Sequence, residues 1–429
     1  IKGGRIATIS LGAGAETAAM ALVVERTLVP RIIEGQSLAV DAITGATATS
    51  NAVKAAVLEC CVKAGANPAA LYGSKASPVA ANVDYACDVV VVGMGGSGTA
   101  AALSAAQAGA KVIAVDKAAK WGGTSAITSG PMAVNAPSQV KAEIPNWMDP
   151  LTNKARLKPA GENLVDGEAL LKDWLAYTTV DGKQGAKPEI VRELIEKSGD
   201  TLDWISSLGF AFQPARGFVG GKWAIFSPYV GDKARTEEFF ATAYRKFTEE
   251  LGGRCLLETE GSELLVQGGQ VVGLLAKGPR GEKVTIKAKA VILATGGFGG
   301  SPEMMKRYLG EDWKLYGMAQ NQGDGISMAL AQGGASYNIG MPPMSHFVAP
   351  PSIITSFQDP MDNDLPYAMI CSSEALAVDR TGKRFTNEAN SYHDFMQGLL
   401  AATPAGEPVQ AWLLCDHSFI RRYGLGAAK

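Results

Sequence analysis

Glycines 93, 95 and 98 stand where a run of β-branched residues stops, in Val89-Val90-Val91-Val92-Gly93-Met94-Gly95-Gly96-Ser97-Gly98. The spacing is G-x-G-x-x-G. Glycine at 93 permits a tight turn, glycine at 95 lets backbone approach a pyrophosphate, and glycine at 98 lets a helix pack on the strand. The chemistry is anion binding by the N–H groups of a helix N-terminus. An acid about 20 residues on would hold ribose hydroxyls. Asp116 is that acid, with Lys117 beside it.

These residues need two strands and a helix to position them. The four valines read as a buried strand, the Ala-rich stretch Thr99 to Ala108 as a helix, and Lys111 to Val115 as a second strand. Together they form a βαβ dinucleotide cradle. A single G-x-G-x-x-G is a weak signal; with both strands, the helix and the acid it is a specific one.

Composition narrows the possibilities. The 429 residues suggest about three domains, and 47% apolar content supports large cores. A net charge of −2 gives no electrostatic case for nucleic acid or an anionic membrane. The six cysteines, at 60, 61, 87, 255, 371 and 415, include no C-x-x-C, so no iron–sulfur or c-type haem pattern is present. Adjacent Cys60 and Cys61 read as core thiols. Three histidines without close spacing make a metal site an unfavoured reading. No apolar run reaches the roughly 18 residues of a membrane span.

Further turns follow in order: Trp121-Gly122-Gly123-Thr124-Ser125-Ala126, then Ser129-Gly130-Pro131, Ala294-Thr295-Gly296-Gly297, and Asn321-Gln322-Gly323-Asp324-Gly325 before an Ala-rich helix. With the βαβ unit, this set resembles the FAD domain of the fumarate reductase/succinate dehydrogenase flavoprotein superfamily, over about residues 85 to 429. The resemblance implies FAD held by Gly93, Gly95, Gly96, Ser97, Gly98, Asp116 and Lys117. It also implies contacts from Gly122, Gly123, Thr124, Ser125, Gly130, Thr295, Gly296, Gly297, Asp324 and Gly325.

Upstream, Asp41-Ala42-Ile43-Thr44-Gly45-Ala46-Thr47-Ala48-Thr49-Ser50 resembles the covalent FMN-attachment site of small FMN-binding domains. There a flavin transferase esterifies FMN to the last threonine, here Thr49. A phosphoester needs an exposed hydroxyl, and Gly45 and Ala46, next to Thr44, leave room for the phosphate. Asn51 to Ala64 reads as a helix with Ser50 as its N-cap.

A third signature is Gly382-Lys383-Arg384-Phe385-Thr386-Asn387-Glu388, which resembles the Gly-x-Arg-Phe-x-Asn-Glu run of the family's clamp domain. Fumarate reductases place a catalytic arginine four residues after the glutamate. Here Tyr392 stands there, followed by His393 and Asp394, and the proton-relay positions are Ala368 and Cys371. A dicarboxylate calls for arginine forks, so fumarate is a poor fit. Tyrosine at this place resembles 3-ketosteroid dehydrogenases, and a neutral phenol suits a carbonyl or apolar substrate. The resemblance adds Arg384, Glu388 and His346 to the candidate catalytic residues; His346 lies near a substrate-binding histidine of the family.

The expected class is α/β: a Rossmann-like FAD domain, an α+β clamp and a small N-terminal α+β FMN domain. The expected boundaries are 1–66 for the FMN module, 67–84 for a linker, 85–340 for the FAD domain and 341–429 for the clamp. Within the FAD domain, helices are expected over Asp166 to Tyr177, Pro188 to Lys197, Thr201 to Leu208 and Phe239 to Leu251. Strands are expected over Cys255 to Glu258, Glu263 to Gln267, Gln270 to Ala276 and Lys283 to Ala294, with a hairpin turn at Gly268-Gly269. The abrupt start at Ile1 and the end at Lys429 inside the clamp read as a fragment or one part of a split protein.

The resulting expectation is a bacterial two-flavin oxidoreductase. Electrons would pass from FMN on Thr49 to FAD, and a hydride would then reach the C=C of an enone or enoate. Its partners would be an external donor (quinol- or cytochrome-linked, or a reductase) and the flavin transferase. Extracytoplasmic, cell-envelope and cytoplasmic locations stay open. The alternatives are a ketosteroid-like dehydrogenase and an electron-relay subunit without its own substrate.

Overall fold

The structure is a computed structural model. It describes residues 1–11, 18–40, 42–43, 47–72, 81–128, 130–180, 182–217, 221–230, 234–310, 318, 320–340, 375–388 and 398–418. Along the chain, helices α1 (Ala18–Gly35), α2 (Thr47–Lys63) and the single turn α3 (Pro68–Leu71) come first. Strand β1 (Val83–Val92), helix α4 (Gly96–Gln107) and strand β2 (Val112–Val115) follow. Next are α5 (Pro137–Lys141), β3 (Ile144–Asp149), β4 (Lys154–Lys158), α6 (Gly167–Tyr177), β5 (Thr179–Val180) and β6 (Lys183–Gln184). Then come α7 (Pro188–Ser207), β7 (Arg216–Gly217), β8 (Ala224–Phe226), α8 (Ala234–Arg245) and β9 (Arg254–Leu256). The remainder is β10 (Glu260–Gln267), β11 (Gln270–Lys277), β12 (Lys283–Leu293), α9 (Pro302–Leu309), α10 (Asp324–Ala331), β13 (Leu376–Val378) and β14 (Trp412–Leu414).

The chain divides into two compact units. One holds residues 1–129 and 229–339, the other residues 130–228 and 340–429. Residues 130–228, expected in the FAD domain, fold with the clamp segment instead.

The first unit is built on a six-stranded sheet in the order β10-β11-β12-β1-β2-β9. Strands β12, β1, β2 and β9 run parallel, and β10–β11 is an antiparallel hairpin continuing the sheet. The valines of β1 make it central: Val90, Val91 and Val92 are buried, and Val90 and Val92 share one core with Ile113, Val115, Leu274 and Ile286. Val92 is in register with both Val115 and Leu293. Three parallel strands therefore end at one level, and the residues that follow them are Gly93, Asp116 and Ala294. Such carboxyl ends are where open α/β sheets bind ligands. The hairpin turn falls at Gly268-Gly269, with φ of 58° and 78°, values that a two-residue type I′ turn requires.

The N-terminal helices close on a separate core of Ile6, Val24, Leu28, Ile32, Leu38, Ile43, Val53, Val57, Cys61 and Leu71. Three expectations are corrected here. Leu71, read as linker, is part of this core, and its carbonyl accepts from Leu38 N at 2.7 Å. Helix α2 begins at Thr47, so Ser50 is inside it; its hydroxyl accepts from Ile43 N at 3.0 Å and caps nothing. Of the two thiols expected in the core, Cys61 is buried but Cys60 is exposed.

In the second unit, α6 and α7 pack over β3–β4 around Trp147, Leu170, Leu171, Val191 and Ile195. Asp166 caps α6, accepting from Glu168 N and Ala169 N. The two helices expected over 188–208 are one helix, α7. Gly199, in the gap between the two expected helices, is small for a packing reason: a Cβ there would meet Val134 O at 2.4 Å. In the first unit, α8 likewise starts five residues before Phe239 and continues as a π-helical turn over Lys246–Glu250. Among the described residues, no helix is long and apolar enough to cross a membrane.

Candidate functional site

The glycines of the first turn have different causes. A Cβ on Gly98 would lie 1.8 Å from Gly93 O, and one on Gly93 would lie 2.5 Å from Ala294 O; Gly93 also has φ of 91°. Both are glycine because protein backbone fills the space. Gly95 is not crowded: its Cβ would meet only Gly122 O, at 3.8 Å, and its φ of −73° suits any residue. The missing side chain leaves room in front of α4, which starts from Gly95 without a side-chain cap. Open space before a helix N-terminus is what a pyrophosphate needs.

Asp116 follows β2, with its carboxylate fixed by backbone: Oδ2 accepts from Met94 N at 2.6 Å and Oδ1 from Ala118 N at 2.7 Å. Each oxygen keeps a lone pair for a further donor such as a ribose hydroxyl. Burial pushes this carboxyl up against the pull of the two amides. Burial, with Asp116 nearby, also pushes the Cys255 thiol up to about 12, which leaves it inert near neutral pH.

The distant turns converge on this loop. Gly122 N donates to Met94 O at 2.8 Å, and Ser125 Oγ accepts from Gly96 N at 3.1 Å. Asn321 Nδ2 donates to Thr124 Oγ1 at 3.1 Å, Gly323 N to Gly297 O at 3.0 Å, and Gly325 N to Thr295 Oγ1 at 3.0 Å. Lys117 Nζ and Asp324 Oδ2 pair at 2.5 Å. Gly123 approaches Gly95, and Gly296 approaches Asn321. Ser97 is exposed in the first turn of α4, and among the described residues nothing lies within 4 Å of a Cβ built on Gly297.

Gly130 is explained differently. It belongs to the second unit, where a Cβ would meet Ser227 O at 2.4 Å. Asn321 and Trp121 stand in the quoted turns but are not among the expected site residues. Buried Trp121 donates its indole N–H to Thr99 Oγ1, tying the glycine turn to α4. Its place just before Gly122-Gly123 was the only available signal.

The clamp signature resolves into a hairpin arm. Asp379 Oδ1 accepts from Thr381 N, Thr381 Oγ1 and Lys383 N at 2.8, 2.7 and 3.0 Å, and Gly382 takes φ of 78° to close the turn. Phe385 packs on Ala377 with Leu413. Glu388, 7% exposed, accepts from Ala377 N at 2.9 Å and from Arg384 Nη2 at 2.5 Å. Arg384 holds the Glu388 carboxyl below the ordinary range. These two expected catalytic residues are thus engaged with each other and with β13. Tyr392, His393, Asp394, His346, Ala368 and Cys371 lie outside the described residues.

Thr44, Gly45 and Ala46 also lie outside them. Thr49 is in the first turn of α2 and only 6% exposed, in contrast to the exposed hydroxyl that attachment requires. The hydroxyl is therefore covered by protein. A phosphoester there requires the hydroxyl to be uncovered. Among the described residues, no group of three or more His, Cys, Asp or Glu could hold a metal ion.

A strand-end glycine turn, an acid at the end of the neighbouring strand and three interlocked glycine turns form a cradle of the dinucleotide-binding class. The family described as "FAD binding domain" matches residues 88–425, and "FMN-binding domain" matches residues 1–61. The chain belongs to this FAD-binding family, within the fumarate reductase/succinate dehydrogenase flavoprotein superfamily, and carries binding domains for FAD and FMN.

It is 27% identical over 416 residues to the NADH:acrylate oxidoreductase of Vibrio harveyi, covering 84% of this chain and 39% of the relative. It is 34% identical over 283 residues to the urocanate reductase of Eggerthella lenta, covering 65% and 43%. Among solved structures it is similar to the open conformation of a flavocytochrome c3 fumarate reductase, with TM-score 0.58 and 25% identity over 80% of this chain and 54% of that one. The chain spans about half the length of these relatives.

Proposed function

We propose that this chain is the flavin-binding part of a two-flavin reductase that saturates a C=C bond conjugated to a carbonyl or carboxylate. The observation that carries this reading is the junction of an FMN-binding module and an FAD cradle in one compact unit. The printed activities of the relatives, on acrylate and urocanate, agree in reaction type. When bound, FAD supplies hydride transfer, and FMN supplies electron carriage from an external donor.

This chain's residues would bind, orient and protonate. Gly95, Gly96, Ser97 and the N-terminus of α4 would receive the pyrophosphate, and Asp116 the ribose. The turns of Thr124, Thr295 and Asp324 would enclose the rest. Tyr392, with His393 beside it, would donate the proton at the carbon opposite the hydride. Arg384 and Glu388 would act as positioning residues, since they bind one another. Thr49 would carry FMN through a phosphoester formed by a flavin transferase.

A ketosteroid-like dehydrogenase is the second reading, favoured by tyrosine at position 392. Anaerobic mixing of photoreduced full-length enzyme with fumarate, urocanate, cinnamates and steroid enones separates the two. Reoxidation by an enoate such as urocanate or a cinnamate, with fumarate slow, is expected. Reoxidation by none of them, or by fumarate fastest, would overturn the proposal. For Thr49, protein co-expressed with a flavin transferase is expected to keep a fluorescent flavin on a denaturing gel and to lose it in Thr49→Ala. Fluorescence that persists in the variant would place attachment elsewhere.

A further inference from the structure

Helix α1 of the N-terminal module reaches the loop that carries Asp116. Arg31 Nη2 and Glu258 Oε1 form an ion pair of 2.8 Å, with side chains 29% and 18% exposed. Beside it, Ala119 packs on the N-terminal core of Leu28 and Ile32. Glu258 follows β9 in a left-handed backbone conformation, φ 50°, which is costly for a residue with a side chain and persists only where its surroundings hold it. Those surroundings are the cradle loop. Glu258 N donates to Ala118 O at 3.0 Å, Thr259 N to Asp116 O at 2.9 Å, and Asp116 N to Leu256 O at 3.0 Å. Ala118 N in turn donates to the Asp116 carboxylate. Arg31 is thus linked to the ribose acid through one ion pair and two hydrogen bonds.

We infer that Arg31 and Glu258 are the latch by which the FMN-binding module docks on the FAD domain, and that docking and FAD occupancy are coupled through the Asp116–Ala118 loop. The physical ground is that one short segment, 256–259, serves both. It receives the module's cation on one side and braces the ribose acid on the other. A nucleotide that fixes Asp116 also fixes the platform for Arg31. Coupling between two binding equilibria is reciprocal, so loss of the latch must weaken FAD binding by the factor by which FAD strengthens docking. The pair is only partly buried, so the coupling is modest and weakens with salt. The inference stands whatever the substrate is.

The test uses the full-length protein, stripped of FAD and titrated with it. Amide hydrogen exchange of residues 24–35 reports docking, and the FAD dissociation constant reports the cradle. FAD is expected to slow exchange in α1 of the wild type. Arg31→Glu is expected to speed that exchange and to weaken FAD about three- to tenfold. Glu258→Arg should do the same, and the double exchange of charges should restore both within about twofold. Glu258→Gln, which removes the charge with little change of size, covers the case in which a reversal fails to fold; it should shift both readouts in the same direction. Unchanged α1 exchange in Arg31→Glu would show that the pair is no latch. Faster exchange with FAD affinity unaltered would show docking without coupling. Either outcome overturns the inference, as does a double variant that fails to recover.

Discussion

The FAD cradle and the clamp arm both carry sharp sequence signatures, yet their residues do different things. In the clamp, nearly every signature residue is satisfied by protein: Gly382 by a turn, Phe385 by packing, and Arg384 and Glu388 by each other. In the cradle, Gly93 and Gly98 are likewise used by the protein, but among the described residues no atom comes closer than 3.8 Å to a Cβ built on Gly95 or within 4 Å of one built on Gly297. A signature can thus mark scaffold or ligand, and the two separate when each residue is asked what would occupy its missing or existing side chain.

The largest expected effect lies just beyond the clamp arm. If Arg384 and Glu388 serve as scaffold, the proton must come from elsewhere, and Tyr392 is the proposed source. Tyr392→Phe is expected to lower turnover by about 10²–10⁴-fold, the usual worth of general acid catalysis. FAD content and substrate affinity should stay near wild type. Wild-type turnover, measured with chemistry rate-limiting, would move the acid, to His393 first.

Gly98→Ala addresses the protein-filled half of the cradle. Its Cβ would sit on a backbone carbonyl, which cannot give way as a side-chain tip can. Denaturant unfolding of the FAD-free protein should show a loss of about 3 kcal/mol, the upper part of the overpacking range. An unchanged midpoint would mean that the turn relaxes freely.

A smaller effect is expected from Glu388→Gln. Losing a hydrogen-bonded charge pair should lower stability by about 2 kcal/mol at neutral pH, with FAD affinity unchanged. The pH dependence gives the sign. Because the folded pKa of Glu388 is depressed, the unfolded chain takes up this proton first as pH falls. The group's contribution is full above the unfolded value of about 4.3 and is lost as pH falls through the folded one. Glu388→Gln should therefore lose stability less steeply than wild type below about pH 4.3, as melting curves across that range would show. An equal acid-side slope would assign the loss to other carboxylates.

Local pattern made β1, α4, β2 and the strand ends legible, because a run of valines and the glycine spacing act within a few residues. Apolar spacing split α7 in two, and the fit of Gly199 against Val134, far away in sequence, is not visible in such a pattern. Ser50 looked like a cap because Ile43, which uses its hydroxyl, is not visible as a partner in the pattern. The Lys117–Asp324 pair and the Asn321–Thr124 bond join residues about 200 positions apart. No window reading reaches them. The burial of Thr49 was equally hidden, since the motif names the hydroxyl and not its cover.

Gly95→Ala tests most directly whether the open half of the cradle is reserved for a nucleotide. Among the described residues the added methyl meets no atom closer than 3.8 Å, so stability of the FAD-free protein should fall by no more than about 1 kcal/mol, the cost of alanine at a helix N-cap. FAD affinity, measured by titration of the same protein, should fall at least about tenfold. Retained FAD affinity would contradict the assignment of that space to the pyrophosphate. So would a loss of stability as large as that of Gly98→Ala.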